Sequence, residues 1–152
     1  MVEINQKSYE NTLKVRNITK FERESDGVSP SCMYFDFITI ESGDHKIPLC
    51  GTVTTLGGPG AEEFIATPQT KFAWISDFDI SQGDRLNVNA FNFTNVEDVR
   101  EKASEWTKGG ADNPAVELNL APDIQIVIEG MSLEYFTVNL NTIVDLTPPH
   151  WM

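Results

Sequence analysis

The stretch 72–93, FAWISDFDISQGDRLNVNAFNF, constrains the fold more than any other part of the chain. Aromatic and aliphatic residues alternate with small or polar ones on both sides of a polar centre. Because successive side chains of an extended strand point to opposite faces, this alternation is typical of strands with one buried face. Ser81–Asp84 has the composition of a turn, and Gly83 can adopt a positive φ. The pattern predicts an antiparallel hairpin with Trp74 in the core.

Two-residue periodicity recurs in segments elsewhere in the chain, at 13–21, 33–40, 45–53, 124–129 and 136–146. Short strands separated by turn residues, without alternating helices, are typical of antiparallel sheets. We therefore predict an all-β fold, an antiparallel β-sandwich of seven to eight strands, with a barrel as the alternative. A chain of 152 residues suits one domain, so residues 1–152 are expected to form a single β-sandwich.

One segment departs from the strand pattern and predicts a helix. Apolar residues recur at helical spacing at Val96, Val99, Ala103 and Trp106. Thr94 and Glu97 fit a capping box, in which each side chain binds an unpaired amide at the helix start. We expect one short amphipathic α-helix inserted around 95–107, with Trp106 anchoring it to the sheet. Residues 54–70 are expected to form a long irregular loop.

The chain is strongly acidic, and this charge restricts its partners. Lys and Arg total 11 against 23 Asp and Glu, which gives a formal net charge of −12. A phosphate backbone requires a cationic surface, so nucleic acid is not expected as a partner. The charge favours cationic partners or divalent metal ions. No apolar run approaches the ~18 residues of a membrane span, so none is expected.

The chain start and the cysteines bear on the compartment. Residues 1–15 lack the apolar segment of a signal peptide, so we expect a cytoplasmic protein, although a trimmed secreted protein would look the same. Cys32 and Cys50 are the two cysteines of the chain. In a reducing compartment both are expected to be buried thiols, and their spacing leaves open whether they pair.

Acidic residues in two loops suggest a metal site. Asp77 and Asp79 share one face of a strand that runs towards Asp84, and Asp26 ends an earlier acidic loop. Calcium takes six to eight oxygen ligands, commonly from carboxylates in loops. The Asp77-Phe78-Asp79 pair resembles the acidic end-loops of C2-type calcium- and lipid-binding sandwiches. The resemblance covers that pair and the general strand pattern, and it implies a C2-like fold, with an Ig-like one as the alternative. The expected metal ligands are Asp26, Asp77, Asp79 and Asp84.

No catalytic constellation is apparent in the sequence. Cys50 and His45 could pair as nucleophile and base, but their spacing places them on opposite faces of a regular strand. We therefore expect a non-enzymatic binding or assembly module that acts through contacts with a protein partner or by self-association. It would need no cofactor, or calcium at most. The alternatives are a calcium-assisted lipid- or carbohydrate-binding module and an enzyme of unrecognised type.

Overall fold

The chain folds into a sheet of nine strands in a computed structural model that describes residues 13–22, 32–40, 43–56, 59–109 and 114–148. The strands are β1 Leu13–Glu22, β2 Cys32–Ile40, β3 His45–Leu56, β4 Glu62–Ile75, β5 Arg85–Asn87, β6 Ala103–Glu105, β7 Ala115–Ala121, β8 Ile124–Glu129 and β9 Val144–Asp145. The helices are α1 Val96–Arg100, α2 Leu133–Val138 and α3 Leu140–Ile143, and two 3₁₀ turns span Ile80–Gln82 and Asn89–Phe91. The expectation of a mostly β protein is confirmed for the described residues.

The sheet is mixed rather than antiparallel. Its order is β1-β2-β3-β4-β8-β7-β6, with β5 paired to β4 and β9 paired to β5. The pairs β2–β3, β3–β4, β4–β8, β4–β5 and β5–β9 are parallel, whereas β1–β2, β8–β7 and β7–β6 are antiparallel. A sandwich, whether C2-like or Ig-like, is therefore not confirmed. Alternation of side chains has the same period in both kinds of sheet, so the sequence pattern could not separate them.

The strand β4 organises the sheet because it has different neighbours along its length. One edge pairs with β3 throughout, whereas the other pairs with β5 near the start of β4 and with β8 near its end. The register between β3 and β4 shifts near Cys50, where β4 has extra residues around Pro68. The hydroxyls of Thr67 and Thr70 both donate to the carbonyl oxygen of Leu49 at this shift. These bonds satisfy a carbonyl that the irregular ladder would leave unpaired.

The predicted hairpin over 72–93 is wrong. β4 ends at Ile75, and the chain returns through the first 3₁₀ turn so that β5 pairs in parallel with Glu63–Ile65 at the start of β4. Gly83 has φ 95°, so its predicted positive φ is confirmed, but it ends the 3₁₀ turn rather than a hairpin. The faces are also reversed, since Ala73 and Ile75 are fully buried and Trp74 is partly exposed.

The predicted helix over 95–107 is present only at its start. Asn95, rather than Thr94, caps α1 by accepting a hydrogen bond from the amide of Asp98 at 3.1 Å. The chain then forms β6, which pairs with β7. The expected loop over 54–70 is wrong as well, because β3 continues to Leu56 and β4 begins at Glu62.

The predicted final strand over 136–146 is mostly helical. Ser132 caps α2 by accepting a hydrogen bond from the amide of Tyr135 at 3.0 Å. Phe136 of α2 and Leu140 and Ile143 of α3 are buried, and their spacing of four and three residues is helical rather than alternating. Only β9, at Val144–Asp145, has strand structure in this segment.

The core is one cluster of aliphatic and aromatic side chains. Its largest fully buried members are Phe64, Phe136, Ile47, Leu49, Ile75, Leu86, Leu118, Ile126, Ile128 and Ile143. Cys50 is buried and disulfide-bonded, in contrast to the expected thiol, and the side chain of Cys32 lies outside the described part of the chain. Within the described segments, no helix has the length and apolar character needed to cross a bilayer.

Gly60 is a position where the fold requires glycine. Its φ is 120°, and an added Cβ would lie 2.2 Å from the carbonyl oxygen of Gly43. Gly130 has φ 88° with nothing within 4 Å of an added Cβ. Gly130→Ala is therefore a control for the cost of a positive φ without a steric clash. We expect Gly60→Ala to lower the free energy of unfolding by about 1–3 kcal/mol more than Gly130→Ala, because only Gly60→Ala meets fixed backbone. Urea unfolding of both variants measures this, and equal losses would contradict it.

Candidate functional site

Three aromatic rings, Phe72, Trp74 and Trp106, lie together on the outer face of the sheet and are here called the outer aromatic cluster. Ring centroids lie 6.3 Å apart for Phe72 and Trp74, 6.1 Å for Phe72 and Trp106, and 5.6 Å for Trp74 and Trp106. The two indoles meet edge to face, at 87°. All three side chains remain partly exposed. Such offset geometry is favourable for aromatic pairs and leaves ring surface for a ligand.

The strands and their hydrogen bonds fix the orientation of both indoles. The ring nitrogen of Trp74 donates to Glu129 Oε1 at 3.0 Å. The backbone amide of Trp106 donates to the carbonyl of Ala115 at 2.9 Å, and its ring nitrogen donates to the carbonyl of Gly109 at 2.7 Å. Val127, the β8 partner of Trp74, is fully buried although it belongs to the outer face. The cluster is therefore a preformed element of the sheet.

Carboxylates and amides border the outer aromatic cluster. The register of β4, β8 and β7 places Phe72, Gln125 and Asn119 in one row. Glu117 Oε2 accepts hydrogen bonds from Asn119 Nδ2 at 2.8 Å and from Gln125 Nε2 at 3.1 Å. Together with Glu129, these side chains form what we call the acidic border, comprising Glu117, Asn119, Gln125 and Glu129. Rings next to carboxylates can bind cations, or sugars that need both stacking and hydrogen bonds.

A cation already lies against one ring of the cluster. Lys108 Nζ is 5.4 Å from the centroid of the Trp106 ring, which is within the range of a cation–π interaction. Lys108 itself is exposed, so this amine lies at the surface. The arrangement shows that a primary amine can approach Trp106 sterically.

A second feature is a buried acidic cluster at the starts of β3, β4 and β5, formed by His45, Glu62 and Asp84. The side chains of His45 and Glu62 are 3% and 0% exposed, and His45 Nδ1 lies 3.5 Å from Glu62 Oε2. Asp84 Oδ1 accepts the amide of Glu62 and Oδ2 the amide of Asp79, both at 2.9 Å. Neither carboxyl oxygen of Glu62 has a hydrogen-bond partner among the described residues.

Burial controls the protonation of this buried acidic cluster. Burial first, and then the charge of Asp84, raises the pKa of Glu62 to about 8. Burial also raises the pKa of Asp84, against the opposing effect of the amides that it accepts. Burial lowers the pKa of His45, with the charge of Asp44 opposing the change. At neutral pH the fold therefore holds Glu62 protonated and His45 neutral, as expected for groups removed from water.

The four residues predicted to bind calcium are placed as follows. Asp26 lies outside the described residues, and Asp77 is exposed in the loop after β4. Asp79 Oδ1 accepts the amide and the hydroxyl of Ser81, at 2.9 Å and 2.6 Å. Asp84 is buried, with both oxygens bound to backbone amides. In the segments the structure describes, no group of three or more His, Cys, Asp or Glu is placed to hold a metal ion. The calcium site stays a prediction that these segments do not support.

Two other features are candidate catalytic sites. Cys50 is disulfide-bonded, so it offers no thiolate nucleophile for a pair with His45. An open cleft of about 460 Å³ lies between the Asp79 loop and α2, and Phe78, Ile80, Met131 and Tyr135 line much of it. Its lining carries one carboxylate, that of Asp79, which already binds Ser81. The lining of the cleft therefore lacks a second carboxylate that could form an acid–base pair with Asp79.

Sequence reasoning assigned Trp74 to the core and Trp106 to a helix, so it missed the outer aromatic cluster. A signal was available in Phe72–Ile75, where apolar residues occupy both parities, which is typical of a strand covered on both faces. No comparable sequence signal indicates that Glu62 is buried, because an acidic pair such as Glu62-Glu63 is typical of a solvent-exposed surface. The chain matches no protein-family model, no curated protein and no solved structure.

Proposed function

We propose that this protein is a non-enzymatic binding module whose outer aromatic cluster recognises a basic segment of a partner protein. The observation that carries the proposal is the packing of three partly exposed rings beside the acidic border, with Trp74 hydrogen-bonded to Glu129. Tryptophan is enriched at the energetic centres of protein interfaces. Here Trp74 and Trp106 are held by hydrogen bonds, so binding would cost little side-chain entropy.

Charge supports a basic partner in particular. The formal net charge of −12 would speed the approach of a cationic segment. At the surface, Glu117 and Glu129 would pair with its basic side chains while the rings attract them through the cation–π effect. Lys108 on Trp106 is an internal precedent for this contact. A lysine or arginine of the partner would displace Lys108 or occupy the remaining ring surface.

A carbohydrate ligand is the second candidate, favoured by one specific observation. The acidic border presents amide and carboxylate groups in the same rows as the rings, with Gln125 Nε2 also donating to Asn119 Oδ1 at 3.2 Å. Sugars stack on aromatic rings and hydrogen-bond with such groups. Calcium would not take part in this mode of carbohydrate binding.

The disulfide at Cys50 favours an oxidising compartment over the cytoplasm expected from the sequence.

The proposal is tested with an oligolysine peptide, a length-matched oligoglutamate peptide and a cello-oligosaccharide, each titrated by tryptophan fluorescence. We expect the oligolysine to bind and its affinity to fall with salt. Trp106→Ala should weaken this binding by about tenfold or more, since hot-spot tryptophans contribute on the order of 2 kcal/mol. Tyr135→Ala removes an aromatic that is 46% exposed and lies outside the cluster, so it should leave the affinity unchanged.

The Tyr135→Ala control distinguishes binding at the outer aromatic cluster from general electrostatic attraction. The net charge is the same in Trp106→Ala and Tyr135→Ala, so non-specific attraction would affect both equally. Equal oligolysine binding by the two variants would contradict the proposal. The second candidate would be favoured if the wild type bound the cello-oligosaccharide but not oligolysine, and if Trp106→Ala lost the oligosaccharide binding. Melting temperatures of both variants establish that each is folded.

A further inference from the structure

A lysine, a glutamate and an asparagine meet on three adjacent strands, away from the outer aromatic cluster. Lys46 of β3 places Nζ 3.0 Å from Glu63 Oε1, and Asn87 of β5 places Nδ2 2.7 Å from Glu63 Oε2. One carboxylate of β4 thus binds both an amine and a carboxamide. We propose that Lys46 and Asn87 condense to an intramolecular isopeptide bond, with Glu63 as the catalytic acid and base.

The strand register brings these three side chains together. Lys46 and Glu63 are Cα partners in the parallel pair β3–β4, and Asn87 pairs with Ile65 two residues further along β4. Paired and next-but-one residues share a face of the sheet. Because β3 and β5 flank β4, the fold brings both reacting groups to the two oxygens of the Glu63 carboxylate. Preorganisation of this kind converts a bimolecular reaction into a unimolecular one.

The carboxamide of Asn87 is fixed and polarised by its surroundings. The side chain is almost fully buried, and Nδ2 also donates to the carbonyl of Thr147 at 2.8 Å. Oδ1 accepts the backbone amide of Asn89 at 2.8 Å. This amide would stabilise negative charge that develops on Oδ1 when a nucleophile adds to Cγ. Glu63 Oε2 lies 2.7 Å from Nδ2, so the carboxyl group is placed to protonate this nitrogen as it leaves.

The reaction needs no oxidant, metal or added reactant. The neutral amine of Lys46 attacks Cγ of Asn87 and transfers a proton to Glu63, which gives a tetrahedral centre with the former Oδ1 as an oxyanion. Glu63 then delivers the proton to Nδ2, the Cγ–Nδ2 bond breaks and ammonia leaves. An amine and a carboxamide become a secondary amide and ammonia, so atoms and charge balance. The new bond ties β3 to β5 across β4.

Exposure determines how fast the bond forms. The side chain of Lys46 is 40% exposed and that of Glu63 is 18% exposed, so water still reaches the amine. Only the neutral form of an amine attacks a carbonyl carbon, and alkaline pH favours that form. The reaction should therefore be slow at neutral pH and faster at alkaline pH.

Intact-mass spectrometry of the reduced, denatured full chain tests the proposal. After incubation at roughly pH 9, where more free amine is present, the wild-type protein should lose the mass of one ammonia molecule. A protease digest should then contain a branched peptide that joins the segment of Lys46 to that of Asn87. The fraction of the protein that has lost ammonia should grow with incubation time and with pH.

Two variants distinguish this bond from other chemistry. Lys46→Arg keeps a positive charge without a nucleophilic amine, and Glu63→Gln removes the acid–base group, so neither should lose ammonia. A succinimide at an asparagine would lose the same mass but would also form in Lys46→Arg. A wild-type mass equal to that of the unmodified chain, or the same loss in Lys46→Arg, would overturn the proposal. These readouts do not depend on ligand binding by the outer aromatic cluster.

Discussion

Glu62→Gln is expected to remove much of the loss of stability that the wild-type protein undergoes as the pH rises from 6.5 to about 8. The folded state keeps Glu62 protonated up to its pKa of about 8, whereas the unfolded chain releases this proton near the ordinary value of 4.5. The folded state therefore binds more protons in this window, and its stability falls as pH rises. The change attributable to Glu62 should be on the order of 1–2 kcal/mol.

The pH range starts at the ordinary pKa of histidine, so that the titration of His45 does not contribute to the measured slope. The pKa of His45 is lowered from 6.5 by burial, so this residue makes stability rise with pH only below that value. The raised pKa of Asp84 makes stability fall with rising pH in the same way, beginning above the ordinary value of 3.8. Urea unfolding at several pH values measures these slopes.

The control is Glu105→Gln, which makes the same chemical change at an exposed position of β6. It should keep the wild-type dependence on pH. At pH 8, Glu62→Gln should be more stable than the wild type, because the amide keeps the shape of the side chain without a buried charge. Parallel pH profiles for the wild type and Glu62→Gln would show that Glu62 ionises freely in the folded state, against the geometry described above.

The strand content could be predicted from the sequence, but the pairing of the strands could not. The segments 33–40, 45–53 and 124–129 do lie in strands, because two-residue alternation needs only one buried face. Which strands pair depends on contacts between distant residues. The start of β4 pairs with β5, which follows it in the chain by way of a loop, and nothing local in the sequence distinguishes this return from a hairpin.

The sites were harder to predict than the strands. The sequence predicts Trp74 in the core and Trp106 as the anchor of a helix. Their contact on the outer face depends instead on β6, which lies where the helix is predicted. Asp84 was predicted to bind calcium, and the structure instead uses it to accept two backbone amides in the interior. An acidic side chain has the same appearance in a sequence whether it contacts water, a metal or an amide.

Phe136→Ala is expected to lower the free energy of unfolding by about 3–5 kcal/mol, because the ring is fully buried in the core and its removal leaves a cavity. Val138→Ala is the matched control on the same helix. Val138 is 76% exposed, and alanine has a higher helix propensity than valine, so its substitution should change the stability by no more than about 0.5 kcal/mol. Urea unfolding of both variants at one pH provides the comparison.

This pair of variants decides between the helix and the strand predicted from the sequence. In a strand, Phe136 and Val138 would point to the same face and both would be buried, so both substitutions would destabilise the protein. In α2 they lie on different faces, and only Phe136 reaches the core. A loss above about 1 kcal/mol for Val138→Ala would therefore argue for the strand, since valine truncation in a core carries a cost of this size. A large loss for Phe136→Ala alone would establish that spacings of three and four residues, rather than two, govern this segment.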